Sequence, residues 1–146
     1  MLPDPFFKVM NLIHAGVLKV SGGRLGWDFM NMPALELTTI GRKSGEPRKV
    51  MLTSPVQEGD TLVIVGSKGG ESRHPAWFLN LRDNPAVQVS YKGGPTVAMT
   101  ARVATADERA RLWPKVVERY SGYAQYQTKT EREIPLVLLD PVAPTT

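Results

Sequence analysis

The chain of 146 residues contains no cysteine, which excludes disulfides and thiolate metal sites at once. It holds two histidines, His14 and His74, with no carboxylates spaced to join them, so no metal site is expected. No apolar run approaches the length of a membrane span. The opening Met1-Leu2-Pro3-Asp4-Pro5 has no basic leader, and Lys8, Asn11 and His14 interrupt the apolar residues beyond it. No secretory signal is read, and the cytoplasm is the expected place. Chemical fingerprints are missing too. There is no Gly-x-Gly-x-x-Gly after a strand, no P-loop and no Gly-x-Ser-x-Gly, and no carboxylate pair stands out for hydrolysis. An enzyme built this way leaves the hard step to a bound organic cofactor. The formal charge of +4 is modest. It admits an anionic ligand without arguing for nucleic acid, since salt screens such a field within about 8 Å.

At 42% hydrophobic, the chain has enough apolar mass for one self-sufficient domain over residues 1–146. A helix is expected over residues 5–20, within an N-terminal block 1–20. Phe6, Met10, Ile13 and Val17 recur at helical spacing, and Ser21-Gly22-Gly23 stops the pattern. Its amphipathic character also suits peripheral contact with a membrane surface. Residues 24–33 read as irregular, anchored by Trp27, Phe29 and Met32 and stopped by Pro33. Strand patterns follow over residues 35–40, 50–53, 61–65, 86–91, 97–103 and 134–139, with hairpin signals at Glu58-Gly59-Asp60 and Gly93-Gly94-Pro95. The unbroken apolar run Leu62-Val63-Ile64-Val65 predicts a central strand buried on both faces. A short helix is expected from Pro75 to about Arg82. Thr105-Ala106-Asp107-Glu108 has the spacing of a capping box for a helix running to Tyr120, and residues 142–146 form a tail. The succession predicts an α+β domain. Its centre is a closed or partly closed antiparallel barrel, with an N-terminal helix, a short inserted helix and C-terminal helices.

Four cations, Arg42, Lys43, Arg48 and Lys49, crowd eight residues of what reads as one hairpin tip. Like charges repel unless something neutralises them, and the Gly/Ser/Pro scaffold around Ser44 presents fixed donors to an extended anion. A solvated tip is the plainer account of the same residues. Ser67-Lys68-Gly69-Gly70 ends the central strand with glycines that permit close backbone approach. On the short helix, Trp77 and Phe78 read as core residues, while the Asn80 amide suits either a turn cap or a ligand carbonyl. Tyr120, Tyr123 and Tyr126 recur every three residues, so a helical segment places all three on one broad face. Three phenols suit the wall of a cavity for a flat ring, or an amphipathic helix with its hydroxyls in water. Gly122 loosens that segment, as a lid requires.

Four segments resemble the deazaflavin-dependent nitroreductase family of actinobacteria, a branch of the flavin/deazaflavin oxidoreductases. They are Leu37–Arg48, Val65–Gly70, His74–Leu81 with Asn84-Pro85, and Tyr120–Gln127 running on to Arg132-Glu133-Ile134-Pro135. The resemblance implies a split β-barrel that binds coenzyme F420, a deazaflavin with a phosphate and an oligoglutamate tail. It also implies hydride transfer to nitroaromatics, quinones or conjugated enones. The cofactor contacts it implies fall on Arg42, Lys43 and Ser44; on Arg48, Lys49, Val50, Met51, Leu52 and Thr53; and on Val65, Gly66, Ser67 and Lys68. They continue with Ala76, Trp77, Phe78, Leu79 and Asn80, and with Tyr123. Substrate-side roles fall on Tyr120, Tyr123, Tyr126 and Ser67. Met51 stands where many relatives have proline, and Phe78 where tyrosine is common. Two other expectations stay open beside this one. One is an FMN-binding split-barrel oxidoreductase; the other is a non-catalytic protein that binds F420 or another anion. In each case a monomer or weak dimer is expected, with no nucleic-acid partner.

Overall fold

The computed structural model describes residues 28–142 except 30, 31 and 71. The expected helix over residues 5–20 and the tail from residue 143 onward lie outside the described residues. Alternating side chains and turn residues give eight antiparallel strands. They are β1 (Asp28–Phe29), β2 (Met32–Ile40), β3 (Pro47–Thr53), β4 (Val56–Glu58), β5 (Thr61–Val65), β6 (Ala86–Tyr91), β7 (Thr96–Val103) and β8 (Leu136–Pro141). Three helices join them among the described residues: α1 (Ala76–Asp83), α2 (Ala106–Arg119) and α3 (Gly122–Thr128). A 3-10 turn covers Lys68–Gly70. The main strand order is β3-β2-β6-β7-β8-β5-β4, with the two-residue β1 paired to the start of β2.

Seven strands laid flat would span roughly 29 Å at about 4.8 Å per step. Yet one apolar cluster joins Leu35 and Leu37 of β2 to Leu62 and Ile64 of β5, far along the order, around Phe78 and Leu81 of α1. The sheet is therefore curled into a half-barrel, with α1 filling the hollow. The opposite face of β5 and β8 is covered by Leu112 and Val116 of α2 and Tyr123 of α3, packed with Val63, Val65, Leu136 and Leu138. Strand β5 is thus buried on both faces, as its apolar run predicts. The edge strands β3 and β4 meet at fully buried Ser54. Its N–H donates to Pro33 O at 2.9 Å, and its hydroxyl lies 2.8 Å from Val63 O and 2.9 Å from Val56 O.

The capping box is present in full. The Thr105 hydroxyl accepts from Glu108 N–H, and the Glu108 carboxylate accepts from Thr105 N–H. Arg102 of β7 then bridges Glu108 to Asp140 of β8, tying the start of α2 to the sheet.

Two local expectations need correction. Pro33 does not stop the chain: β2 begins at Met32 and runs through Pro33, whose missing N–H is tolerated beside the short β1. The basic turn is also shorter than expected. Gly41 N–H donates to Glu46 O, and Gly45, at φ +71°, donates to Gly41 O. This closes the loop by Glu46 and puts Arg48 and Lys49 on β3 itself.

Candidate active site along strand β3

Side chains alternate along a strand, so β3 carries two rows. Arg48, Val50 and Leu52 lie opposite Thr39, Leu37 and Leu35, and Val50 and Leu52 pack on the inner core. Lys49, Met51 and Thr53 form the other row, opposite Thr38, Glu36 and Ala34. That second row ends at the tyrosines, where the Thr53 hydroxyl lies 3.5 Å from the Tyr123 hydroxyl. From Lys49 to Thr53 is about 13 Å of extended chain.

The cationic end is held from inside the hollow. Arg42 N–H donates to Asn80 Oδ1 at 3.1 Å, and Asn80 Nδ2 donates to Thr39 Oγ1 at 3.1 Å. Asn80, buried on α1, therefore fixes the turn. Ser44 Oγ accepts from Glu46 N–H and from Arg48 Nη2, so its hydroxyl is a brace inside the turn. Lys49 faces Glu36 at 3.8 Å, while no carboxylate pairs with Arg42, Lys43 or Arg48 among the described residues. These three cations are exposed, and Arg48 alone of them is braced, by Ser44.

At the other end Tyr120, Tyr123 and Tyr126 form one edge-to-face trio, with ring centroids 5.2, 6.1 and 6.4 Å apart. Tyr120 caps α2 while the other two lie on α3, so the trio joins two helices. Tyr123 is buried, which rules out an ordinary amphipathic helix with its hydroxyls in water. Gly122 has a packing role: a Cβ there would stand 2.5 Å from the Tyr120 ring. It seats that ring, so the lid expectation has no support from this glycine. The Lys68–Gly70 turn is pressed on α3 as closely, since a Cβ on Gly70 would lie 2.6 Å from Tyr126 O. The turn that follows Ser67 therefore packs against the helix that carries Tyr123 and Tyr126.

Burial pushes the Tyr123 phenol up, only partly offset by its contact with Thr53. Burial, then the hydrogen bond and charge of Tyr120, push Tyr126 up to about 12. Both phenols stay neutral donors at any physiological pH. Between the unfolded value of 10.0 and about 12, the unfolded chain has lost the Tyr126 proton that the folded chain keeps. Stability therefore falls as pH rises through that window and is unaffected by this group below it. Thermal melts from pH 9 to 11 are expected to fall less steeply for Tyr126→Phe than for the parent. Equal slopes would contradict the shift.

The remaining nominated residues divide by face. Phe78 is buried in the inner core, with Trp77 and Leu79 packed against it, and Ala76 is exposed. Val65 belongs to the outer cluster with Tyr123. Gly66 N–H donates to Pro135 O at 2.9 Å. Sequence reasoning quoted His74 and Arg132 within the segments of resemblance and gave neither a site role. Arg132 reaches the carbonyls of Gly66 and Ser67 and the His74 ring.

The described geometry sets exposed cations at one end of β3 and three phenols at the other. The family model described as F420H(2)-dependent quinone reductase matches residues 11–141. An F420H(2)-dependent quinone reductase of Mycobacterium tuberculosis is 37% identical over 131 residues, 87% of either chain. The solved structure of an F420-H2 dependent reductase, FDR-A, is 40% identical with a TM-score of 0.66, covering 74% of this chain and 94% of that one. A solved domain-swapped dimer is 34% identical with a TM-score of 0.68, covering 90% and 98%. The heme storage protein HutZ of Vibrio cholerae, at 16% identity and a TM-score of 0.57, shares the fold alone, over 86% of this chain and 89% of its own. By this family match and these identities, on a curled antiparallel sheet, the chain belongs to the F420H(2)-dependent quinone reductase family.

Proposed function

We propose that strand β3 is the spine of a reductase site. In this reading Arg42 and Lys43 on the tip, with Lys49 at the head of the outer row, hold an acidic tail while Arg48 braces the turn through Ser44, and Tyr120, Tyr123, Tyr126 and Ser67 receive the electron-poor acceptor. Family membership makes the chain an F420H2-dependent oxidoreductase acting on small electron-poor molecules. The reduced deazaflavin, when bound, supplies a hydride.

The observation that carries the placement is the Lys49–Met51–Thr53 row, which runs from the cationic end to the Tyr123 hydroxyl. It gives an extended ligand one continuous track with a charge at one end and phenols at the other. Half-buried Met51 lies between the two ends of this row. The raised Tyr126 phenol donates a hydrogen bond to the acceptor oxygen where negative charge develops, and buried Tyr123, whose hydroxyl lies 3.5 Å from Thr53 Oγ1 and donates to Met32 Sδ, backs it. In this reading Tyr126 orients the acceptor, and a proton from solvent completes the reduction. Hydride and proton together convert a quinone to its hydroquinone. The track, a side of the curled sheet, completes the split-barrel architecture of the family, and residues 1–146 act as one domain. We also read the protein as cytoplasmic and as a monomer or weak dimer, although one relative forms a domain-swapped dimer. No helix among the described residues is long and apolar enough to cross a membrane.

The test is turnover of F420H2 with a panel of menadione, nitroaromatics and conjugated enones, preceded by fluorescence titration with oxidised F420. Binding at micromolar concentration and reduction of menadione are expected. Absence of both, or preference for FMN, would overturn the reading.

A further inference from the structure

Between the tyrosine helix and the Ser67 segment lies a clasp that the reductase chemistry does not itself require. Residues 130–135 leave α3 and are drawn back to it by Gln127. Its Oε1 accepts from Ile134 N–H at 2.8 Å and from Arg109 Nη2 at 3.1 Å, while its Nε2 donates to Arg132 O at 2.7 Å. This places the Arg132 guanidinium across the end of β5. Nη2 donates to Ser67 O at 2.8 Å, and Nη1 lies 3.1 Å from both Gly66 O and His74 Nδ1. The His74 ring in turn rests on Phe78 of α1, at 4.6 Å between centroids. One side chain thus ties together the end of β5, the approach to α1 and, through Gln127, the helix that carries Tyr123 and Tyr126.

We propose that Arg132 is a positioning residue of the reductase site, holding the Gly66–Ser67 segment in register with the tyrosine trio. This rests on the site reading above.

The geometry needs a fork. Two successive carbonyls and a ring nitrogen lie at different angles, and a planar guanidinium with five donors reaches all three, whereas an ammonium is a point donor on a flexible stem. His74 must be neutral to accept at Nδ1. Burial first, then the charges of Arg132 and Arg82, keep its pKa below the ordinary value. Those two arginines, one on the 130–135 segment and one on α1, are the cations facing the ring. Acid that protonates His74 sets a cation against Arg132 and opens that arm of the clasp.

Amide hydrogen exchange on the full chain without cofactor reads the positioning directly. The Gly66 and Gly70 amides, which donate to Pro135 O and Ser67 O, report on the segment. In Arg132→Gln their exchange is expected to speed by about tenfold or more. Amides in the β2, β6 and β7 core keep their parent rates. Arg132→Lys keeps the charge without the fork and is expected to exchange like the glutamine variant. In both variants F420 binds at least about fivefold more weakly by fluorescence titration. Unchanged exchange, a uniform rise across the sheet, or rescue by lysine would each overturn the proposal. Should Arg132→Gln fail to fold, His74→Gln removes one arm only. It is expected to raise exchange at the same two amides about two- to fivefold, and no rise there would also overturn the proposal. Faster exchange in the variants of a parent that does not bind F420 would leave the clasp standing and remove the reductase reading alone.

Discussion

Replacing Arg42 and Lys43 together by alanine is expected to weaken tail-bearing F420 by about 100-fold or more, while the tail-free chromophore stays within about threefold. Both side chains are exposed, and no carboxylate pairs with either among the described residues. Their charges are therefore available to a ligand and contribute little to the fold. A charge-assisted hydrogen bond is worth roughly 1.5–3 kcal/mol, and solvent screening favours the lower end for groups this open. Two such contacts still give about two orders of magnitude. The turn itself survives the change, because its attachment to α1 runs through the main-chain N–H of Arg42, which alanine keeps. Added salt should narrow the gap between parent and variant, since the lost term is screened. Parallel titrations of the two ligands at two salt concentrations check this. Equal losses for both ligands would mean that the cations do not grip the tail.

The second large effect is expected at Asn80. Asn80→Ala removes the acceptor for Arg42 N–H and the donor to the buried Thr39 hydroxyl in one step. Buried polar groups left without partners cost about 1–3 kcal/mol each, so a loss of about 2–4 kcal/mol is expected. For a chain of this length that lowers the melting midpoint by roughly 5–15 °C. It should also release the turn from α1 and weaken F420. The tail-free chromophore should feel the change less, because its expected place is at the far end of β3. Calorimetry and the same titrations measure both. A midpoint within a degree or two of the parent would show that water replaces the amide without cost.

The contrast between these two sites explains how much could be read in advance. Strands β5 to β8 and the α2 cap were legible because apolar runs, alternation and the Thr105/Glu108 spacing are local signals. The tyrosine trio was legible as a shared face for the same reason. The start of β2 was not, because Pro33 reads as a breaker unless the edge pairing with β1 is known. Arg48 and Lys49 read as turn residues because charge and proline mask an extended backbone, which the pairing with β2 imposes from outside. The roles of Asn80, Gly122 and Arg132 are set by partners distant in sequence or by a ring that fills the space of a missing Cβ. No pattern within a short window contains that information.

The two-row character of β3 also limits how this region can vary. A single residue inserted between Gly41 and Pro47 would do more than enlarge a surface loop. If the slack were taken up as a one-step slip against β2, Lys49 would turn toward α1 and Val50 toward the phenols, inverting the whole strand. Length changes in this tip are therefore expected to be tolerated in pairs or absorbed as a bulge, and the spacing from Gly41 to Thr53 becomes as constrained as the residues it separates.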